Sequence, residues 1–447
     1  MLIGQIATAQ HPDTVVAAWP LDSAVPPAEL RCLIVTSRLD VGGVEEVVAF
    51  LARRLPACGV QTAVLHIPPD PSADGQPTGR LARMLQCSGV EVREAWPSSA
   101  PDWIQRWHPD VISAHGTLPG WLLDTAQSQG VPYVETLHNI HGLYVTDWGA
   151  EAARAAKLSA IVAVSETVRR QYLAGNRRFP PGRIVTVPNG VDGERRTGGD
   201  RAAVRGRLGL TDEYLFVSLA RHCLQKNSYG LVAAFGEAAR RRPEAHLVIA
   251  GQLQDLRYHR KVLQLRDSLP CRDRIHLRDH AAAPGELLAA ADGFAMDSFY
   301  EAWSLASMEA LYIGVPVVLS DVGGAREQVG NDPARGYVVA NPLGDPLEVG
   351  WEAMARAQYR PQANRGELAA AMDHLIAGRH DYLAGRKQLA DESAARFSAQ
   401  ACLTQHAAVL RAAAAGTDLP ASEQIPSHQD RHDVTVKGAT RPPITHR

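Results

Sequence analysis

Two glutamates, Glu301 and Glu309, stand eight positions apart where the sequence pattern changes from loop to helix. The run GFAMDS (293–298) predicts a strand, and LASMEALYIG (305–314) predicts a helix with Ser304 as its N-cap. Glu301 lies in the loop, and Glu309 lies one turn into the helix, where side chains lean back toward the N-terminus. Both carboxylates are therefore expected near the helix start, where they can accept hydrogen bonds from hydroxyl groups.

The same helix start supplies backbone donors. The N–H groups of Leu305 and Ala306 have no partner inside the helix, and the helix dipole makes this end positive. Such a terminus suits a phosphate group. Glutamates are common in any chain, so the strand–loop–helix context carries this argument and the spacing alone does not.

Two cations follow another predicted strand, YLFVSLA (214–220), in the segment ARHCLQKN. Arg221 can contact a diphosphate through two N–H groups, and Lys226 can act on it as a point charge. The alternative is a solvated loop that happens to contain two common cations.

A glycine pair, Gly42 and Gly43, ends the first strand and opens a helix in DVGGVEEVV (40–48). The exposed N–H groups of such a turn suit an anionic ligand, although a tight turn without a ligand explains the pair equally well. The sequence contains neither GxGxxG nor GxxxxGK[ST], so dinucleotide binding and P-loop chemistry are not supported.

Three histidines lie at or just after predicted strands: His115 in SAHG, and His138 and His141 in HNIH. Histidines in a cleft can donate hydrogen bonds to hydroxyls or transfer protons. No HExxH-type spacing is present, so no metal is predicted. His138 has the best position because it directly follows PYVETL (132–137).

The elements that must position these residues are short apolar strands that alternate with helices. This pattern predicts an α/β protein with doubly wound parallel sheets. It breaks between Val187 and Gly209, the best candidate linker, and from about Leu347 onward only helical patterns appear. Further strands are predicted at CLIVTS (32–37), TAVLHI (62–67), DVISAH (110–115), AIVAVS (160–165), HLVIAG (246–251), RIHLRD (274–279) and PVVLS (316–320).

Composition narrows the functional class. The 447 residues carry a net charge of −2, so no basic field indicates nucleic-acid binding. The six cysteines form no CxxC pair, and no run has the length of a membrane span. The N-terminus lacks the pattern of a signal peptide, so a cytoplasmic location is expected.

Together these segments resemble the group 1 glycosyltransferases, the GT4 family. The resemblance covers roughly residues 31–410 and depends on an ordered set of motifs, which is more specific than any one of them. The set comprises GGVEE (42–46), LH (137–138), VPNGVD (187–192), ARHCLQKN (220–227), VIAG (248–251) and the two glutamates followed by GVPVV.

The resemblance implies the GT-B fold, in which two Rossmann-like doubly wound parallel-sheet domains face a central cleft. It also implies transfer of a sugar from a nucleotide-diphosphate donor, with retention of configuration and with no metal or other cofactor. The implied division is an N-terminal tail (1–29), an acceptor domain (30–195), a donor domain (196–385), a helix crossing back (386–415) and a tail expected to be disordered (416–447).

By similarity, Arg221 and Lys226 would bind the donor diphosphate, and Glu301 and Glu309 would bind hydroxyls of the donor sugar and of the ribose. His138 would lie near the reacting carbon. Backbone or side-chain contacts with the donor would come from Gly42, Gly43, Trp303, Ser304, Leu305 and Ala306.

Three positions depart from the family pattern. The usual EGF or EPF is Glu301-Ala302-Trp303, the usual glycine before the arginine is Ala220, and the usual glycine after the lysine is Asn227. The bulky Trp303 stands where the donor sugar is expected, so these changes leave the identity of that sugar open.

Two other functions remain open at this point: a nucleotide-sugar epimerase and a non-catalytic binding protein on the same fold. The implied donor is a UDP-sugar, with a GDP-sugar as the alternative. The acceptor can be a sugar, a lipid-linked molecule or a small metabolite. The basic segment RRQYLAGNRRFPPGR (169–183) is either a solvated face or a peripheral contact with the inner face of the membrane.

Overall fold

The computed structural model describes residues 30–37, 39–40, 42–67, 79–94, 96–139, 147–193, 200–279, 284–345 and 349–422. The predictions for residues 1–29, for His141 and for most of the C-terminal segment fall outside these ranges.

The first half of the chain forms a seven-stranded parallel sheet with the order β3-β2-β1-β4-β5-β6-β7. At its centre, Leu33 pairs with Ala63 on one side and with Ile112 on the other. Its strands are β1 (Leu30–Thr36), β2 (Val60–His66), β3 (Glu91–Glu94), β4 (Val111–His115), β5 (Tyr133–Leu137), β6 (Ala160–Ala163) and β7 (Ile184–Thr186). Its helices are α1 (Gly43–Arg54), α2 (Arg80–Cys87), α3 (Ala100–Trp107), α4 (Gly120–Ser128), α5 (Trp148–Ala155) and α6 (Glu166–Gly175).

The second half forms a six-stranded parallel sheet with the order β10-β9-β8-β11-β12-β13. Its strands are β8 (Tyr214–Leu219), β9 (Ala245–Ala250), β10 (Ile275–Arg278), β11 (Gly293–Met296), β12 (Val317–Ser320) and β13 (Gly336–Val339). Its helices are α7 (Arg201–Arg207), α8 (Ser228–Arg241), α9 (Leu256–Ser268), α10 (Pro284–Ala290), α11 (Leu305–Tyr312), α12 (Ala325–Val329), α13 (Trp351–Ala357), α14 (Arg365–Ala377) and α15 (Arg379–Arg396).

Both sheets are doubly wound, because the strand order reverses at the β1/β4 boundary in one sheet and at the β8/β11 boundary in the other. The predicted α/β class with two parallel sheets is confirmed. The apolar runs form these sheets because helices cover both faces, so most positions of the central strands are buried.

Three strands escaped prediction, and each has a physical reason. Strand β3 has the sequence EVRE, of which only Val92 is buried, so it lacks an apolar run. Strands β7 and β13 are three and four residues long and lie beside proline- and glycine-rich turns. The predicted linker also contains a helix, α7, which begins with Asp200 as an N-cap.

The chain returns to the first sheet at its end. Helix α16 (Ala399–Ala415) buries Leu403, Ala407 and Leu410 in the same apolar cluster as Ile34 of β1. The crossing is anchored where the backbone N–H of Val191 donates to the carbonyl of Phe397 at 3.0 Å. No helix in the described part of the chain is long and apolar enough to cross a membrane.

Candidate active site

The point of strand reversal in the second sheet brings the predicted site residues together. Strand β8 pairs directly with β11, so the loops after their carboxyl ends are neighbours. The first loop carries Arg221 and Lys226, and the second carries Glu301. A crevice at such a reversal is the usual ligand site of an open parallel sheet.

Lys226 and Glu301 form an ion pair across these two loops. The Lys226 ammonium lies 2.5 Å from Glu301 Oε1, and the Ser298 hydroxyl donates to the same oxygen at 2.8 Å. The side chains are 14% and 9% exposed, respectively, so the pair lies at the edge of the interior. A ligand anion that binds Lys226 therefore competes with Glu301 for the ammonium.

Arg221 is held by neutral groups. Its guanidinium donates to Gln254 Oε1 at 2.7 Å and to Gln225 Oε1 at 3.2 Å. Amide oxygens orient the side chain without cancelling its charge, so the charge stays available to an anion.

The start of α11 has the predicted geometry. Ser304 is the N-cap, and its hydroxyl accepts a hydrogen bond from the N–H of Ser307 at 3.3 Å. Gln328 stabilises this turn through two hydrogen bonds: it donates to the Ser304 carbonyl at 3.0 Å and accepts from the Ser307 hydroxyl at 2.6 Å. The N–H groups of Leu305 and Ala306 begin the helix, and Glu309 is half-buried one turn further on.

The glycine pair of the first sheet faces this helix start. A Cβ built on Gly43 would lie 3.7 Å from Leu305 Cδ1, so the N-termini of α1 and α11 meet across the boundary between the sheets. A Cβ on Gly42 would lie 2.2 Å from the Glu45 carboxylate. An acidic group therefore already lies beside the turn predicted to receive an anion.

His138 belongs to a chain of hydrogen bonds. Its Nε2 lies 2.8 Å from Nδ1 of His115, and Nε2 of His115 lies 3.0 Å from the Ser113 hydroxyl. The two rings stack with centroids 5.1 Å apart. Because Nε2 of His138 is engaged in this way, Nδ1 is the ring nitrogen without a partner among the residues that the structure describes.

Both histidines are neutral at neutral pH. Burial lowers the pKa of His138 to about 3, and nearby His406 lowers it further. Burial lowers the pKa of His115 well below its ordinary value, with additional effects of His138 and His406. His406 comes from α16 and was not predicted, since only its place on the buried face of that helix hints at a role. Among the described residues, no histidine, cysteine, aspartate and glutamate side chains form a group of three or more that could hold a metal.

Trp303 does not join the cluster through its side chain. The indole is buried against Phe397 with ring centroids 6.2 Å apart, and its N–H donates to Met308 Sδ at 3.1 Å. A Cβ on Gly324 would lie 2.3 Å from the ring. The ring therefore fills space between the loop after β11 and the segment between α15 and the last helix.

A cavity larger than the space beside Glu301 and Ser304 lies outside this cluster. It measures about 820 Å³ and is lined by residues such as Leu30, Asp110 and Arg411. Leu30 begins β1 and Asp110 precedes β4, so the cavity opens at the amino ends of the strands. The carboxyl-end cluster is the better candidate, because it combines cations, carboxylates and a helix start.

Comparison with known proteins identifies the family. Residues 41–195 match the model of Glycosyltransferase Family 4, and residues 200–348 match that of Glycosyl transferases group 1. Together the two segments span more than half of the chain. The chain belongs to the group 1 glycosyltransferases. The predicted family is thus confirmed.

The glycosyltransferase resembles D-inositol 3-phosphate glycosyltransferases. It is 28% identical to that of Frankia alni over 386 residues, which is 72% of this chain and 94% of the relative. It is 31% identical to that of Geodermatophilus obscurus over 255 residues, which is 52% of this chain and 56% of the relative. Among solved structures, Alr3699/HepE of Anabaena in complex with UDP-glucose superimposes with a TM-score of 0.67 at 17% identity, covering 85% of this chain and 98% of the other.

Proposed function

We propose that this glycosyltransferase moves a sugar from a nucleotide-diphosphate sugar to an acceptor hydroxyl, with retention of configuration and without a metal. One observation carries the proposal. Arg221, Lys226 and the start of α11 converge at the carboxyl ends of β8 and β11, next to two glutamates.

The leaving group sets the first requirement. As the bond between the anomeric carbon and the phosphate oxygen breaks, the diphosphate gains negative charge, and cations held in advance stabilise it. Arg221 is oriented by two amides, and Lys226 exchanges Glu301 for a phosphate oxygen. The N–H groups of Leu305 and Ala306 add the positive end of a helix.

The carboxylates act as hydroxyl acceptors. Once Lys226 turns to the diphosphate, Glu301 is free to accept hydrogen bonds from the donor sugar. Glu309 lies one helical turn from Ser304 and binds the ribose. Ser298 keeps a hydrogen bond to Glu301 throughout, which holds the carboxylate in place.

The first sheet supplies the other wall. Gly43 approaches the donor from the start of α1, with Gly42 behind it, and His138 offers Nδ1 near the reacting carbon. We assign no described carboxylate the role of nucleophile and infer displacement on one face of the sugar. The acceptor oxygen bonds to the anomeric carbon, the phosphate leaves, and the acceptor proton passes to a phosphate oxygen.

The donor is a UDP-sugar, supported by the likeness to a structure that holds UDP-glucose. D-inositol 3-phosphate is the first acceptor to test, because relatives are named for it. A peripheral membrane contact is a further part of the proposal. Arg170, Arg177 and Arg178 are exposed on and after α6, and binding to vesicles of anionic but not neutral lipid would support it.

The test is a donor and acceptor screen. UDP-, GDP- and ADP-glucose are incubated with and without D-inositol 3-phosphate or other hydroxyl acceptors, in the presence of EDTA. We expect UDP-glucose to raise the melting temperature and the α-linked product to form only with an acceptor. Release of an epimerised nucleotide sugar in the absence of any acceptor would overturn the proposal.

Matched variants separate the site from the fold. Arg221→Ala is expected to lower donor turnover by about 10²-fold, in line with the loss of one charge-stabilising donor. Arg240→Ala, an exposed arginine on α8 of the same domain, is expected to leave turnover unchanged. Equal activity of the two variants would contradict the role of Arg221.

A further inference from the structure

The residue that follows Lys226 has an unusual backbone. Asn227 has φ 45° and ψ 40°, which is the left-handed region that glycine adopts without strain. Only His108 and Tyr359 share a positive φ among the other described residues that are not glycine. The structure thus explains why glycine suits this position, and it raises the question of what holds an asparagine there.

The side chain of Asn227 is engaged at both ends. Its Oδ1 accepts from the N–H of Gly230 at 3.2 Å and caps α8, while its Nδ2 donates to Oδ2 of Asp297 at 2.8 Å. The other oxygen of Asp297 accepts from Nδ2 of Asn364 at 2.8 Å. All three side chains are buried, with Asp297 only 1% exposed.

The arrangement leaves little freedom. A Cβ on Gly230 would lie 2.4 Å from Asn227 Nδ2 and 2.6 Å from Asp297 Oδ2, so the backbone of α8 packs directly on this hydrogen bond. Burial raises the pKa of Asp297 to about 7, and its two amide donors only partly oppose this. No described cation pairs with this buried carboxyl group, so stability alone does not account for it.

Asp297 also connects the two loops of the candidate site. It directly follows β11 and stands four positions before Glu301, while its partner Asn227 directly follows Lys226. The hydrogen bond between Asn227 and Asp297 therefore lies behind the ion pair between Lys226 and Glu301 and ties the same two loops together.

We propose that Asp297 and Asn227 are positioning residues, which hold the left-handed turn after Lys226 and so place its ammonium for the donor diphosphate. The inference rests on the proposed phosphate-binding role of Lys226. Neither residue touches the donor. Glycine would reach the same turn through its own freedom, whereas this chain reaches it through a buried hydrogen bond.

The experiment measures the dissociation constant of UDP for folded variants, with Lys226→Ala as the reference for a lost lysine contact. We expect Asn227→Ala and Asp297→Asn to weaken UDP binding about tenfold, toward the level of Lys226→Ala. Asn227→Gly should stay within about twofold of the wild type, because glycine keeps the turn. The double variant Asn227→Gly/Asp297→Asn should regain most of the affinity lost in Asp297→Asn.

The rescue separates positioning from a general structural role. If glycine at position 227 fails to rescue Asp297→Asn, or if Asn227→Ala and Asn227→Gly bind UDP equally well, the inference is overturned. The comparison of the two Asn227 variants decides the matter even if Asp297→Asn does not fold. If Lys226→Ala binds UDP as the wild type does, the proposed role of Lys226 is wrong and the inference falls with it.

Discussion

The carboxylate of Glu327 accepts a hydrogen bond from the backbone N–H of Glu166 at 2.9 Å, and this bond joins the two sheets. Glu327 lies on α12 of the second sheet, whereas Glu166 begins α6 of the first. The carboxyl oxygen thus meets the positive end of a helix in the other half of the molecule, an interaction that only partly offsets the burial of the group. Arg396 donates to the backbone carbonyl of Glu327 and holds it from behind.

Stability should depend on the charge of Glu327. Burial raises its pKa from 4.5 to about 7 in the folded protein. Between these values the folded state holds a proton that the unfolded state has lost, so this group destabilises the protein as pH rises through that range. As pH rises from 5 to 7, we expect the free energy of unfolding of Glu327→Gln to increase relative to that of the wild type by up to about 1.4 kcal/mol per pH unit.

Urea unfolding at pH 5, 6, 7 and 8 measures this difference. Glu352→Gln, an exposed glutamate on α13 with a side chain 88% exposed, is the control and should follow the wild type. Parallel pH profiles for Glu327→Gln and the wild type would show that Glu327 does not carry the effect.

The Lys226–Glu301 pair gives a prediction for stability. In Lys226→Met, the Ser298 hydroxyl is the remaining partner of the buried Glu301 carboxylate among the contacts described above. This loss should lower the free energy of unfolding by about 1–3 kcal/mol. Adding Glu301→Gln removes the unpaired charge, so the double variant should be more stable than Lys226→Met alone. A double-mutant cycle from chemical unfolding measures the coupling, and strictly additive effects would contradict it.

The same variants separate stability from function. Lys226→Met and the double variant should both bind UDP weakly, because both lack the ammonium. Recovery of stability without recovery of UDP affinity is the expected pattern, measured by titration calorimetry. A double variant that binds UDP as the wild type does would exclude Lys226 from the donor site.

His406 should contribute to acid sensitivity. Burial lowers its pKa to about 4, so as pH falls below about 6.5 the unfolded state takes up a proton that the folded state resists. Its contribution to stability is therefore lost between pH 6.5 and 4. As pH falls from 6.5 to 4, we expect the free energy of unfolding of His406→Leu, measured by urea unfolding, to increase relative to that of the wild type by up to about 1.4 kcal/mol per pH unit. Replacement of the exposed His380 by Leu serves as the control.

Trp303 and Gly324 should be coupled. Gly324→Ala puts a methyl group 2.3 Å from the indole, so the ring must move, at a cost of about 1–3 kcal/mol. Trp303→Leu creates room, and Gly324→Ala should then cost less than it does in the wild type. Thermal unfolding of the two single variants and the double variant measures the difference, and an unchanged cost would show that the ring and position 324 do not compete for space.

Prediction from sequence succeeded where one local pattern decided the structure. The apolar run YLFVSLA became β8, and Ser304 became the N-cap of α11, because strand burial and helix capping depend on neighbouring residues. The rule about strand ends predicted that the loops carrying Lys226 and Glu301 lie at the same edge of the sheet, but the ion pair between the two side chains was not predicted. The sequence alone does not show which side chains of two loops will meet when the loops are 75 residues apart.

The missed residues share a different property. Asp297, His406 and Glu327 act through partners far along the chain, and Glu166 stands 161 positions from Glu327. Their burial results from tertiary packing, which the local periodicity of apolar residues in the sequence does not predict. The packing of the Trp303 indole has the same cause, since Phe397 and Gly324 determine where the ring lies.

The return of α16 to the first sheet affects the order in which the molecule can be built. Arg411 on this helix donates to the carbonyl of Cys58, a contact that spans 353 positions. On the ribosome, the first domain therefore emerges with one face of its core uncovered and stays so until the entire second domain has been synthesised. Such non-local closure is slow and leaves apolar surface exposed meanwhile, so a chaperone has its longest opportunity to bind at that face.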